Sequence, residues 1–183
     1  MRIAVVTCAF MFASMLLPAA YKEGPLPGMT GGFGEPTCTT CHFDHPVNER
    51  SGSLRLAGLP RTYTPGRHYT ITITLERPQL KLGGFELASR FARGAMAGQQ
   101  AGALAPLDSR TQILQSPDGL LQYVQHNRTG NRAGQPGRLE WTIRWTAPPA
   151  SGGPVVFHVA ANAANDDDSP LGDYIYMTEA TSK

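Results

Sequence analysis

Two stretches of this 183-residue chain alternate apolar and polar side chains at every step, and a third carries an apolar residue at every second position. Tyr69, Ile71, Ile73 and Leu75 alternate with Thr70, Thr72 and Thr74. Leu139, Trp141, Ile143 and Trp145 alternate with Glu140, Thr142, Arg144 and Thr146, and Val155, Phe157 and Val159 form a third row. A period of two is that of a half-buried β-strand, because successive side chains leave opposite faces. Ser53–Ala57, Phe85–Phe91, Thr111–Leu114, Leu121–His126 and Tyr174–Thr178 read as further strands, with Pro-Gly, Gly-Gly and Asp-Gly steps between them. The segment from about Arg93 to Ser109, rich in Ala and Gly, reads as a loop with a short strand. No stretch has a helical period, and 20 glycines and 15 prolines favour turns. Seven or eight short strands predict an all-β chain folded as a β-sandwich. Apolar side chains at 41% supply its core. A net charge of +2 without any Lys/Arg run gives no reason to expect nucleic acid or an anionic membrane as partner.

Residues 1–20 form a separate unit. Met1-Arg2 is a short positive start, Ile3 to Leu17 is almost wholly apolar, and Pro18-Ala19-Ala20 offers small residues for cleavage. This predicts a secretory signal peptide cut near Ala20, leaving no membrane span. The apolar run is short beside the roughly 20 residues that a bilayer span takes. Residues 21–37 are then a Gly/Pro-rich loop that leads into the next cysteines, residues 21–50 the segment that carries them, and residues 51–183 the sandwich domain. Cys8 lies in the discarded apolar run, so Cys38 and Cys41 are the whole cysteine complement of the exported chain. One pair with this spacing is no disulfide framework.

Cys38-Thr-Thr-Cys41-His42 has the spacing of a c-type haem attachment site. Two thiols three positions apart reach the two vinyl groups of one porphyrin, and the next residue, His42, binds the iron from the proximal side. Thr37 is placed to cap one short helical turn here, and Pro46 limits it. Three other uses of the pattern fit less well. A thioredoxin-like pair needs a βαβ setting. A zinc site from Cys38, Cys41, His42 and His45 lacks the usual distant ligand pair. A plain CxxC disulfide is the third, weighed against the export signal and the absence of other cysteines. One covalent haem c is therefore the expected cofactor.

The order of several pieces resembles a known family. They are Thr30-Gly-Gly-Phe-Gly-Glu-Pro-Thr-Cys38-Thr-Thr-Cys41-His42, Tyr63-Thr-Pro-Gly66 before Tyr69 to Thr74, Gly84-Phe-Glu-Leu87, Ala101-Gly102, Gln125-His126, Trp141 to Pro148, Ala160-Ala-Asn-Ala-Ala-Asn165 and Gly172-Asp173. Over nearly all of the exported chain this resembles the bacterial extracytoplasmic choice-of-anchor V domain proteins, which are similar to the Reeler domain. The resemblance implies an immunoglobulin-like sandwich preceded by a haem-binding segment. The run Asn165-Asp-Asp-Asp168 departs from it, and no sorting tail follows Lys183, so anchoring to the cell surface is not expected.

The leading expectation is an exported monohaem electron carrier, periplasmic or extracellular, that meets a redox partner protein. The alternative is a Reeler-like binding or adhesion module in which the haem is structural or sensory. A haem enzyme would need an open polar distal site, and none is evident, so a carrier is expected rather than a catalyst. His126, at a strand end, is the candidate distal iron ligand. His45 is too near His42 in the chain, while His68 and His158 read as solvated. Met29, Met96 and Met177 are alternatives, with Met96 foremost among them. Asp166, Asp167, Asp168 and Asp173 read as a solvated acidic turn rather than a calcium site. Trp141 and Trp145 are assigned to the core.

Overall fold

A computed structural model of the chain describes residues 22–183, so the signal peptide expected at 1–20 lies outside the described residues. The described chain forms nine strands: β1 (Ser53–Ala57), β2 (His68–Glu76), β3 (Leu82–Phe91), β4 (Ala103–Pro106), β5 (Thr111–Gln115), β6 (Gln122–His126), β7 (Arg138–Thr146), β8 (Val155–Ala164) and β9 (Tyr174–Ser182). All pairings are antiparallel. One sheet has the order β1-β2-β7-β4 and the other β5-β6-β3-β8-β9. The chain is thus an all-β, two-sheet sandwich, as the alternating rows predict.

The rows meet face to face. Ile71, Ile73 and Leu75 of β2 and Leu139, Trp141, Ile143 and Trp145 of β7 pack against Phe85 and Leu87 of β3, Val124 of β6 and Phe157 and Val159 of β8. Trp145 stands edge-on to Phe157 at 4.9 Å, and Trp141 lies 4.7 Å from Phe85 between ring centres. Both indole N–H groups donate to backbone carbonyls, of Gly130 at 2.7 Å and Ala101 at 2.9 Å. Burial of these rings is therefore free of the cost of an unpaired donor.

β8 runs five residues past the apolar row that ends at Val159. The extension is alanine-rich, with little strand propensity of its own. It is held by ladders to β3 on one side and β9 on the other. β3 departs further from a half-buried strand, because all ten of its residues are buried. Its outer face is covered by the N-terminal segment. Gly28 and Met29 donate backbone N–H groups to Glu86 at 2.9 and 2.6 Å. Glu35 pairs with Arg90 and with the Tyr123 hydroxyl, and Arg90 also donates to Tyr123 at 2.9 Å. Farther along, the Asn48 N–H donates to Ile175, and the Met177 N–H to the Asn48 side chain. The segment carrying the cysteines is thus laid across the outer face of the five-stranded sheet.

Candidate functional site

Thr37 caps a single helical turn at Cys38–Thr40, accepting a hydrogen bond from the Thr39 N–H at 3.1 Å. The turn continues through Cys41, and the His42 N–H donates to the Cys38 carbonyl at 3.0 Å. Positions three and four apart on such a turn share a face. Cys38, Cys41 and His42 accordingly line one cavity of about 260 Å³. Its other walls are Leu26 and Met29 from the N-terminal segment, Leu82 to Phe85 of β3, His126 of β6, and Asn162 and Asp173 about the β8–β9 connection. The two thiols, the proximal histidine and the distal candidate named from sequence are thereby gathered in one place.

The thiols are free. Burial, with Glu86 nearby, pushes the Cys38 thiol up to about 12, so it is protonated at neutral pH. A redox-active or zinc-binding cysteine needs the opposite, a depressed pKa in an electropositive setting. Cys41 is exposed. His45 is removed from the cysteine turn's chemistry, since its ring stacks on Tyr174 at 3.9 Å. Among the described residues no three His, Cys, Asp or Glu side chains are grouped to hold a bare metal ion.

His42 is the most elaborated member. Its Nδ1 lies 2.8 Å from Oδ2 of Asp173 and 3.2 Å from the Pro170 carbonyl. Asp173 is buried and accepts from the Asn165 N–H at 3.0 Å and from Asn162 Nδ2 at 2.9 Å. The Asn162 amide nitrogen is also 3.3–3.4 Å from both ring nitrogens of His42. The acidic turn expected at Asp166–Asp173 is therefore divided. Asp166, Asp167 and Asp168 are exposed, whereas Asp173 turns inward to His42.

His126 is buried, and burial pushes its pKa down to about 4, so the ring is neutral. β6 leaves β3 after Gln125, and the His126 imidazole takes the vacated ladder position. The Phe85 N–H donates to Nδ1 at 3.1 Å, and the Phe85 carbonyl lies 3.3 Å from the same atom. The ring also occupies the space over Gly84, where a Cβ would come within 2.1 Å of it. His126 thus has a structural task in β3 as well as a place in the cavity wall.

The remaining candidates separate cleanly. Met29 lines the cavity. Met96, foremost from sequence, instead packs beside Phe91 and Gly152, and Met177 sits against Gly31. The ranking from sequence fails because a single stretch does not say which loop crosses which face. His68 is exposed and 2.8 Å from the Thr146 hydroxyl. His158 is on the outward row as expected, but it is not simply solvated. Phe33 packs edge-on to it at 5.5 Å, and the N-terminal segment half-buries it. Asn162 and Asp173, the partners of His42, lie in two of the pieces that carry the family resemblance, Ala160–Asn165 and Gly172-Asp173, but nothing in the sequence joins them to His42.

The residues fit a covalent haem in their donor set, two thiols and an imidazole on one face of one turn, opening onto apolar walls. The cavity is somewhat smaller than the roughly 300–1,000 Å³ of small-molecule sites. The exposure of Cys41 means that one edge of the group would stand in solvent.

The sequence matches no protein-family model and no curated protein. In fold it is similar to solved Reeler structures. The human F-spondin reeler domain shares 21% identity at a TM-score of 0.45, over 75% of this chain and 94% of that one. The Reelin-N domain of F-spondin shares 21% at 0.46, over 79% and 96%. A cohesin module from a Clostridium perfringens family 33 glycoside hydrolase shares 12% at 0.47, over 73% and 96%. These likenesses concern the fold, and none of the three is described as a haem protein.

Proposed function

We propose that this chain is an exported Reeler-like module, of the choice-of-anchor V kind, that carries one covalent haem c and passes electrons to a partner protein. The observation that carries the reading is the convergence of Cys38, Cys41, His42 and His126 on one cavity. Attachment is an addition: each S–H adds across a vinyl C=C to give a thioether, so no oxidant is consumed. A Cys38 held as the thiol retains the proton that this addition uses. His42 is the proximal ligand and His126 the distal candidate. The bound haem supplies one-electron chemistry, and the protein sets its potential through ligands, burial and hydrogen bonds. Leu26, Phe43 and Leu171 are exposed large apolar side chains on the segments that form the site. They offer a surface on which a protein partner docks.

The same exposed side chains serve the second reading, a binding module whose haem is structural or sensory. The two are separated by redox behaviour. The periplasmic or secreted protein is purified, extracted with acid–acetone and run on a denaturing gel. A haem stain that stays with the band is expected, and it is lost when Cys38 and Cys41 are both changed to Ala. Reversible optical conversion between ferric and ferrous forms supports electron transfer. A stain that washes out, or protein without porphyrin, overturns the haem. Covalent haem with no reversible couple selects the binding module.

A further inference from the structure

We propose that Asp173 is a positioning residue for the iron ligand His42: its buried carboxylate holds the Nδ1 proton, leaves the lone pair on Nε2, and lowers the reduction potential of the haem. The proposal rests on the haem reading above. The contact is direct, with 2.8 Å between Nδ1 and Oδ2. It is also asymmetric: the Asp173 side chain is 1% exposed and the His42 side chain 25%. Among the described residues His42 is the sole ionic partner of Asp173. No arginine or lysine among the described residues pairs with it.

A carboxylate withdrawn from water is costly unless its oxygens are well supplied with donors. Asp173 has two donors besides His42, the Asn165 N–H and Asn162 Nδ2. Those donors aim it rather than discharge it. The connection around it is latched to the cysteine turn, since the Gly172 N–H donates to Asp44 at 2.5 Å and the Pro170 carbonyl lies beside His42 Nδ1. The one polar atom with which His42 pairs most closely is therefore an anion in a fixed place. A histidine that gives its Nδ1 proton to a carboxylate is locked in one tautomer and becomes a stronger electron donor to metal. More electron donation, and a negative charge close by, both favour ferric over ferrous iron. A neutral carbonyl acceptor such as Pro170 would do this far less.

The test compares holoprotein of wild type with Asp173→Asn and Asp173→Glu by spectroelectrochemical titration. The asparagine keeps an oxygen acceptor and loses the charge. It is expected to shift the ferrous-to-ferric ratio at fixed potential at least tenfold, which is 59 mV upward for a one-electron couple. The glutamate is expected to return the potential toward wild type. Each variant is first checked for covalent haem stain and unchanged circular dichroism. Should Asp173→Asn not fold, ¹⁵N NMR of wild-type apoprotein at pH 8 carries the test. It is expected to show His42 protonated on Nδ1, and protonation on Nε2 instead overturns the proposal. So does covalent haem whose potential is the same in all three proteins. Wild-type protein without haem overturns the haem reading itself, whatever the His42 tautomer.

Discussion

His126 illustrates how one side chain serves two masters. Its Nδ1 satisfies the Phe85 N–H at the point where β6 stops pairing with β3, and its ring stands in the wall of the cavity. Changing it to Ala leaves a buried N–H unpaired and opens a void, which together cost on the order of 2–4 kcal/mol. That loss alone reveals nothing of ligation, so the diagnostic measurement is spectroscopic. Low-temperature EPR of ferric His126→Ala holoprotein, folded by circular dichroism, is expected to show low-spin iron converted to high-spin. An unchanged low-spin signal removes His126 as ligand and turns attention to Met29, the methionine that lines the cavity.

At the scale of elements, the decisive contact is between the N-terminal segment and β3. Two consecutive backbone N–H groups, from Gly28 and Met29, converge on one oxygen of Glu86, while the other oxygen is buried without a partner. Burial pushes the Glu86 carboxyl up to about 7 from an ordinary value of 4.5, against the pull of the two N–H groups. The folded state thus holds a proton that the unfolded chain gives up between those values. Stability from this group is complete below pH 4.5 and is lost as pH rises through 7. The loss is on the order of 3 kcal/mol by pH 8. Glu86→Gln keeps a carbonyl acceptor and cannot ionise. Urea unfolding of apoprotein from pH 5 to 8 is expected to show wild type losing stability relative to Glu86→Gln as pH rises. The difference between the two proteins isolates Glu86 from the histidines, His126 among them, whose depressed pKa values act with the opposite sign. Parallel pH profiles would show that the strap is not anchored through this carboxyl.

Over the whole molecule, the sandwich is a scaffold whose larger sheet carries the cysteine-bearing segment on its outside. No helix among the described residues is long and apolar enough to cross a membrane. Export through residues 1–20 is the expectation from sequence. Mass analysis of protein recovered from the periplasm is expected to give an N-terminus near Tyr21. Full-length chain retained in the cytosol without haem would count against both export and the proposed role, because the thioethers are expected to be made outside the cytoplasm.

The sequence alone determined most of the strands and the turn that gathers Cys38, Cys41 and His42. Alternation at Tyr69–Leu75 and Leu139–Trp145 is local, so it places β2 and β7 and puts both tryptophans inward without any knowledge of partners. The spacing of Cys38, Cys41 and His42 is equally local, since one helical turn brings the three to one face. Only the tertiary structure decided what lies opposite them. Ala160 to Ala164 become strand because β3 and β9 flank them. Asn162 and Asp173 reach His42 across more than a hundred residues of chain. Met29 rather than Met96 enters the cavity because the segment before the cysteines crosses the outer sheet face. Such contacts join positions far apart in sequence, and a periodicity read along one stretch carries no information about which distant stretch will cover it.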